Sequence, residues 1–234
     1  MTLGRPRVHR RLTGSTSLDA RELAVAGAPH GTLVTALAQS AGRGRQGRRW
    51  DAPPGRALLC SLVLRDPPAL LPIAAGVAVA ELAGPEALLK WPNDVLLDAR
   101  KVAGILIEGR PQERWAVLGI GVNVAVDLDE LPAELRSSAA TLGLDATELE
   151  PSLARLLVAL EKWLQAPADA VLDAWRSRDA LLGAAVHWRE GSGTGAGIDA
   201  GGRLIVALAD GREQALDAGE VHLVGADGAS PVGH

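Results

Sequence analysis

The 234-residue chain has no phenylalanine and no tyrosine, so its six tryptophans supply all the aromatic surface. Its single cysteine, Cys60, rules out an intrachain disulfide framework or a multi-cysteine zinc site and fits a reducing cytosol. Cys60 lies in the apolar run 57–64, where a lone thiol packs as a small hydrophobe. No apolar run is long enough to span a bilayer: the longest, 68–83, is broken by Pro72 and Glu81. The N-terminal residues carry no apolar segment of the secretory kind. These absences predict a cytoplasmic protein with no membrane partner. The net charge is −4, so a broad basic face for polyanions is not expected. Lysine is scarce. Of 24 cationic side chains, three are lysine: Lys90, Lys101 and Lys162. Where arginine is the default cation, a lysine marks a place where a bulkier guanidinium serves badly.

Apolar residues make up 47% of the chain and charged residues 22%, an ordinary balance for a folded protein. The length allows one large domain and one small one. The unusual stretch is Gly42-Arg43-Gly44-Arg45-Gln46-Gly47-Arg48-Arg49, followed by Trp50. Its glycines let backbone N–H groups approach a ligand, and its arginines offer forked donors for carboxylate or phosphate oxygens. A solvated loop or a nucleic-acid contact accounts for the stretch equally well in isolation.

In chain order, 8–12 reads as a strand, hydroxyls at 15–17 as helix caps, and 18–26 as a helix. Ser15 and Thr16 suit capping and ligand contact alike, because both roles meet at a helix N-terminus. Segments 31–39 and 57–64 read as strands joined by the arginine loop, and 70–83 as a helix packed on their sheet. Segment 87–97 is a strand with a turn at 91–94, and a return strand begins at Lys101. Asn93 and Asp94 are good turn residues, yet two of the three lysines stand beside them. Strand 115–124 contains Gly119 and Gly121, which allow close approach of a ligand or backbone. Asn123 there is polar among apolar neighbours, as a hydrogen-bonded core amide would be. Residues 127–142 read as a long polar connection, a candidate mobile flap. Amphipathic helices follow at 151–164 and 169–178. The segments 185–188, 195–198, 203–208 and 213–216 alternate in polarity between Gly-rich turns, including 191–193. With 219–224 closing it, this pattern predicts a small β-barrel, and 226–234 a loose tail.

Three separated motifs resemble one family. Gly42-Arg43-Gly44-Arg45-Gln46-Gly47, then Lys90-Trp91-Pro92-Asn93-Asp94 with Lys101-Val102-Ala103-Gly104-Ile105, and then Gly119-Ile120-Gly121-Val122-Asn123 are similar in order and spacing to the bacterial biotin protein ligases. The resemblance covers roughly 8–225. It implies an α+β chain in two parts. Residues 1–180 would form a mixed-sheet catalytic domain of the class II synthetase-like biotin/lipoate ligase fold, and 181–234 an SH3-like barrel with its tail.

The activity implied has two steps. Biotin's carboxylate attacks the α-phosphate of Mg²⁺-ATP, and a lysine of a biotin carboxyl carrier domain then takes the biotinoyl group. By position, Ser15, Thr16 and Gln39 would bind the ureido ring, and Gly104, Leu106, Gly119 and Gly121 would form the biotin slot. Gly42, Arg43 and Arg45 would complete the biotin site. Arg45, Arg48, Trp50, Asn93 and Asn123 would hold ATP, and Lys101 would bridge carboxylate and α-phosphate. Lys101, Arg45 and Asp94 are the implied catalytic residues, Asp94 orienting the acceptor lysine. No metal ligand is assigned to the chain itself, and a monomer or homodimer is expected.

The chain departs from the family pattern at Ser17, where asparagine is common, and at Gln46, often basic. No helix-turn-helix segment precedes Val8, so a DNA-binding role is not expected. A lipoate–protein ligase, a nucleic-acid module and an inactive carrier-binding protein stand as the alternatives.

Overall fold

The computed structural model describes residues 3–217, 219 and 221–223. The chain runs β1 (Arg7–Arg10), α1 (Thr16–Val25), β2 (Leu33–Ala36), β3 (Ala57–Arg65), α2 (Leu71–Ala83), β4 (Leu88–Lys90), β5 (Asp94–Leu97), β6 (Arg100–Arg110) and β7 (Trp115–Asn123). A connection holding the short α3 (Ala133–Arg136) leads to α4 (Leu149–Gln165) and α5 (Ala168–Arg176). Then come β8 (Ala185–Trp188), β9 (Gly191–Ile198), β10 (Leu204–Ala207), β11 (Glu213–Leu216) and β12 (His222–Leu223). The first seven strands form one mixed sheet, ordered β1-β2-β3-β7-β6-β5-β4, in which only β1 and β2 are parallel. The architecture is the α+β one expected.

β3 is buried along almost its whole length because helices cover both faces of the sheet. Leu58, Cys60, Leu62 and Leu64 point to the layer of α2, α4 and α5, while Val63 packs with Ala20 and Ala24 of α1. The helix α2 lies against both the sheet and α5. Its small residues permit this: a Cβ on Gly76 would come within 2.6 Å of the Trp175 indole. Helix α1 covers only part of its face of the sheet. Beyond its N-terminus, Trp50 and residues 131–139 border that face instead of a helix, and there the cleft lies.

Residues 91–93 turn β4 back into β5, and a second turn at Asp98 and Ala99 leads into β6. Asp94 thus opens a strand rather than closing a turn. Between β5 and β6 the register slips: Val95 faces Ala103 while Leu96 faces Lys101. This bulge leaves Val102 as the extra residue and re-aims Lys101.

The connection at 127–142, expected to be mobile, is tied to the sheet. Lys101 N–H donates to Ser138 O (2.7 Å), Ala140 N–H to Lys101 O (2.8 Å) and Leu142 N–H to Asn123 O (2.8 Å). Leu131 packs with Ala57 and Leu59. The connection is a wall of the cleft.

The C-terminal strands form a five-stranded antiparallel sheet, ordered β11-β10-β9-β8-β12. The predicted closed barrel is not found: β11 and β12 are edges with no ladder between them among the described residues. Among the described residues of 219–224, His222 and Leu223 pair with β8, and the tail 226–234 lies outside the described residues. The Gly-Ser-Gly at 191–193, read as a turn, belongs to β9. Glycine suits the strand there because a Cβ on Gly193 would come within 2.5 Å of the Ala207 oxygen. This sheet shares the main apolar core through Val186, Trp188 and Leu204, with Leu181 of the preceding turn, and Trp91 Nε1 donates to Gly202 O across the junction (3.0 Å). Among the described residues no helix is long and apolar enough to cross a membrane.

Candidate active site

Strand register draws the floor of the cleft. Asp94, Gly104, Gly121 and Leu59 lie in one row across β5, β6, β7 and β3, and Leu106, Gly119 and Ser61 in the next. The cavity above has a volume of about 500 Å³. Of the residues assigned from sequence, Thr16, Gln39, Arg43, Arg45, Arg48, Trp50, Asn93, Asp94, Lys101, Gly104, Leu106, Gly119, Gly121 and Asn123 all line it. Ser15 and Gly42 are not in the lining. Ser15 is buried just behind it as the first residue before α1, and its hydroxyl makes neither a capping bond nor any other. Gly42 sits at the base of the arginine loop, where a side chain would collide with the Trp50 carbonyl and the Gln39 amide nitrogen.

The deep end is neutral. The Thr16 backbone N–H donates to Gln39 Oε1 (2.7 Å), as does the Thr16 hydroxyl (3.1 Å). The Ser61 hydroxyl donates to Thr16 Oγ1 (2.9 Å), and Ser17 Oγ lies 3.2 Å from Ser61 Oγ. Thr16, Ser17 and Ser61 are all buried. Ser61 was missed from sequence, although it is the one polar residue in its apolar run. Gly119 is glycine for space: a Cβ there would stand 2.5 Å from Ser17 Oγ.

The open end is charged. Residues 42–50 form a tight hairpin, with Trp50 N–H donating to Gly42 O (3.0 Å) and Gly44 N–H to Arg48 O (2.8 Å). At its tip Gln46 and Gly47 both have positive φ, 55° and 78°, which the glycine accepts freely. Arg43 pairs with Glu108 (3.1 Å) and Arg49 with Asp51 (3.0 Å). Glu108 is a second residue the sequence did not single out. The hairpin returns Trp50 to the floor, where its indole lies on Gly121 and Gly104. A Cβ on Gly121 would stand 2.5 Å from the indole, and one on Gly104 3.0 Å. Trp50 Nε1 is buried without a hydrogen-bond partner.

Lys101 stands between the two ends. Its Nζ is 2.6 Å from Asp94 Oδ1 and 5.6 Å from the Trp50 ring centroid. The two asparagines are held by backbone: Asn93 Nδ2 donates to Ile105 O (3.1 Å) and Asn123 Nδ2 to Ala140 O (2.9 Å). Each keeps its amide oxygen as an acceptor. Among the described residues no group of three or more His, Cys, Asp or Glu side chains could hold a metal ion. The arrangement combines a neutral hydrogen-bonding recess, a single ammonium paired with Asp94 beside it and an arginine hairpin above. It can bring two anions together and screen their repulsion.

A model of the Biotin/lipoate A/B protein ligase family matches residues 10–125. The chain is 37% identical over 242 residues to the biotin–[acetyl-CoA-carboxylase] ligase of Paracoccus denitrificans, covering 91% of this chain and 98% of that one. It is 39% identical over 152 residues to the bifunctional ligase/repressor BirA of Bacillus spizizenii, covering 60% of this chain and 47% of the relative. The chain therefore spans about half the length of that bifunctional relative. In fold it matches the biotin protein ligase from Aquifex aeolicus in complex with biotin and ATP, with a TM-score of 0.77 and 27% identity over 94% of this chain and 98% of that one.

Proposed function

The chain belongs to the biotin/lipoate A/B protein ligase family, and from that premise we propose that it is a biotin–protein ligase. It activates biotin with ATP to biotinoyl-5′-AMP and transfers the biotinoyl group to a lysine of a biotin carboxyl carrier domain of acetyl-CoA carboxylase or a related carboxylase. The observation that carries this reading is the position of Lys101 at the junction of a neutral recess and an arginine-lined mouth.

The recess takes the uncharged ureido ring, with Thr16, Ser17 and Gln39 around it and Gly119 giving it room. Biotin's carboxylate then reaches Lys101 at the mouth. ATP lies under the hairpin, its phosphates facing Arg43, Arg45 and Arg48, its nucleoside near Trp50, Asn93 and Asn123. Mg²⁺ arrives on the phosphate oxygens of ATP and offsets part of their charge. Lys101 gives up part of its pairing with Asp94 to neutralise the charge that develops between carboxylate and α-phosphate. The same Asp94 is then free to orient the acceptor lysine. The hairpin covers the mixed anhydride, keeping water from a reactive acyl phosphate.

The arginines line a cleft beside carboxylates rather than a broad basic face, which favours a small anionic substrate over a nucleic acid. The single buried thiol, Cys60, fits a reducing cytoplasm. We read residues 1–180 as the catalytic unit and the C-terminal sheet as an SH3-like module, with the whole working as a monomer or homodimer.

Incubation with ATP and an isolated biotin carboxyl carrier domain, in parallel with biotin and with lipoate, tests the proposal. Mass spectrometry should find one biotinoyl group on the carrier and no lipoyl group. Lipoyl transfer without biotinoyl transfer would move the chain to the sister activity.

A further inference from the structure

The hydroxyl cluster at the deep end has a forced direction, and every step follows from which atoms carry protons. The Thr16 backbone N–H can only donate, so Gln39 must turn its oxygen towards it. That oxygen cannot donate, so the Thr16 hydroxyl spends its proton on Gln39 and accepts from Ser61. The one proton of Ser61 is thereby committed to Thr16. In the remaining contact, Ser17 to Ser61 at 3.2 Å, Ser17 must be the donor. The Ser17 oxygen, which lines the cleft beside Gly119, then faces it with lone pairs alone. Gln39 meanwhile keeps both amide N–H groups, and its nitrogen lies where a side chain on Gly42 would meet it, 2.9 Å from the position a Cβ would take.

We propose that Ser61 is a positioning residue that makes Ser17 an obligate acceptor, and that Ser17 thereby selects a ligand bearing a ring N–H at the deep end. The inference rests on the biotin reading and deepens it: a cyclic urea carries one carbonyl, needing donors, and two N–H groups, needing acceptors. An isolated serine hydroxyl would rotate to donate or accept and would not discriminate. With Ser61 holding its proton, it does. Ser61 need not touch the ligand to have this effect.

The test is a comparison of dissociation constants measured by titration calorimetry. The ligands are biotin and its two cyclic carbamate analogues, in each of which one ring N–H is replaced by an ether oxygen. The proteins are wild type, Ser61→Ala and Ser17→Ala. Wild type should bind biotin about tenfold or more tighter than the analogue that places its oxygen against Ser17, since two acceptors then face each other. In Ser61→Ala the Ser17 proton is released and can be donated to that oxygen. The preference should fall by about tenfold there, while the other analogue changes in step with biotin. In Ser17→Ala biotin should weaken without any gain for either carbamate. A merely structural defect weakens all three ligands together, so the ratio isolates the effect of proton direction. An unchanged ratio in Ser61→Ala, with the variant folded by thermal melting, would overturn the inference. Wild type that binds none of the three ligands would instead overturn the biotin reading on which it rests.

Discussion

The two ends of the cleft solve opposite problems. At the deep end, Thr16 and Ser17 on a helix N-terminus, Ser61 on β3 and Gln39 just beyond β2 are bonded to one another in a single chain, and all but the half-buried Gln39 are buried. At the mouth, four arginines ride on a nine-residue hairpin, and two of them, Arg43 and Arg49, pair with acids at 3.1 and 3.0 Å. A neutral ring is told apart by where donors and acceptors stand, so its site must be fixed before the ligand arrives. A polyphosphate is attracted by charge over a wider range, so its site can stay open and close afterwards. Lys101 belongs to neither end. A bulge turns it onto the cleft face, and its flexible stem lets one compact charge serve both.

The largest effect that sharpens this contrast should come from changing the shape of that charge. Lys101→Arg keeps the sign but forces a planar fork into a space bounded by Asp94, Trp50 and Gly104. Steady-state biotinylation should fall by about 10²-fold, the scale of losing a donor aimed at developing charge. A variant retaining near wild-type turnover would mean that any cation serves.

Next come the two floor glycines, which ought to separate the substrates. Gly119→Ala pushes a methyl against Ser17 and should raise the KM for biotin. Gly121→Ala pushes one against Trp50 and should raise the KM for ATP. Each shift is expected at about 10-fold or more, from overpacking of 1–3 kcal/mol. Initial-rate kinetics on both variants would check it, and equal effects on both substrates would dissolve the distinction between the ends.

Salt should act more gently and on one end only. Raising ionic strength from about 0.05 to 0.5 M shortens the screening length severalfold. The Kd for ATP should therefore weaken by a few-fold while that for biotin stays level in parallel titrations.

The smallest effect lies away from the cleft. Arg7 donates to both Glu150 oxygens, at 2.7 and 2.6 Å, and so holds that carboxyl below its usual pKa. A lowered folded pKa means the contribution is complete above the ordinary glutamate value and is lost as pH falls through the folded one. The pair is half exposed, so Glu150→Gln should cost about 0.2–1 kcal/mol at neutral pH and nothing in strong acid. Chemical denaturation at the two pH values measures the difference.

Much of this molecule was legible in the sequence, for reasons that differ by element. Strand β3 and helices α2 and α4 could be read because burial leaves a periodic apolar signal. The arginine hairpin, Lys101 and the paired glycines of β7 stood out because each breaks the local pattern. What could not be read depends on backbone bonds to distant partners. Nothing in residues 127–142 announces that Ser138, Ala140 and Leu142 will bond to Lys101 and Asn123, so a wall looked like a flap. The bulge beside Val102 has no residue signature either. In β9 the Gly-Ser-Gly at 191–193 reads as a turn, whereas Gly193 serves close approach to β10 and Gly191 lies against Trp188 of β8. Ser61 was visible but not valued, because a single hydroxyl in an apolar strand acquires meaning only once Thr16 is set beside it.

The central claim is that recognition at the two ends is separate and that chemistry joins them at Lys101. Biotin-dependent exchange of labelled pyrophosphate into ATP, measured on wild type and Lys101→Ala with biotin binding titrated alongside, tests it most directly. Exchange in the variant should fall by about 10²–10³-fold while biotin affinity changes far less. Exchange that survives, or that falls only in proportion to lost biotin binding, would contradict the account.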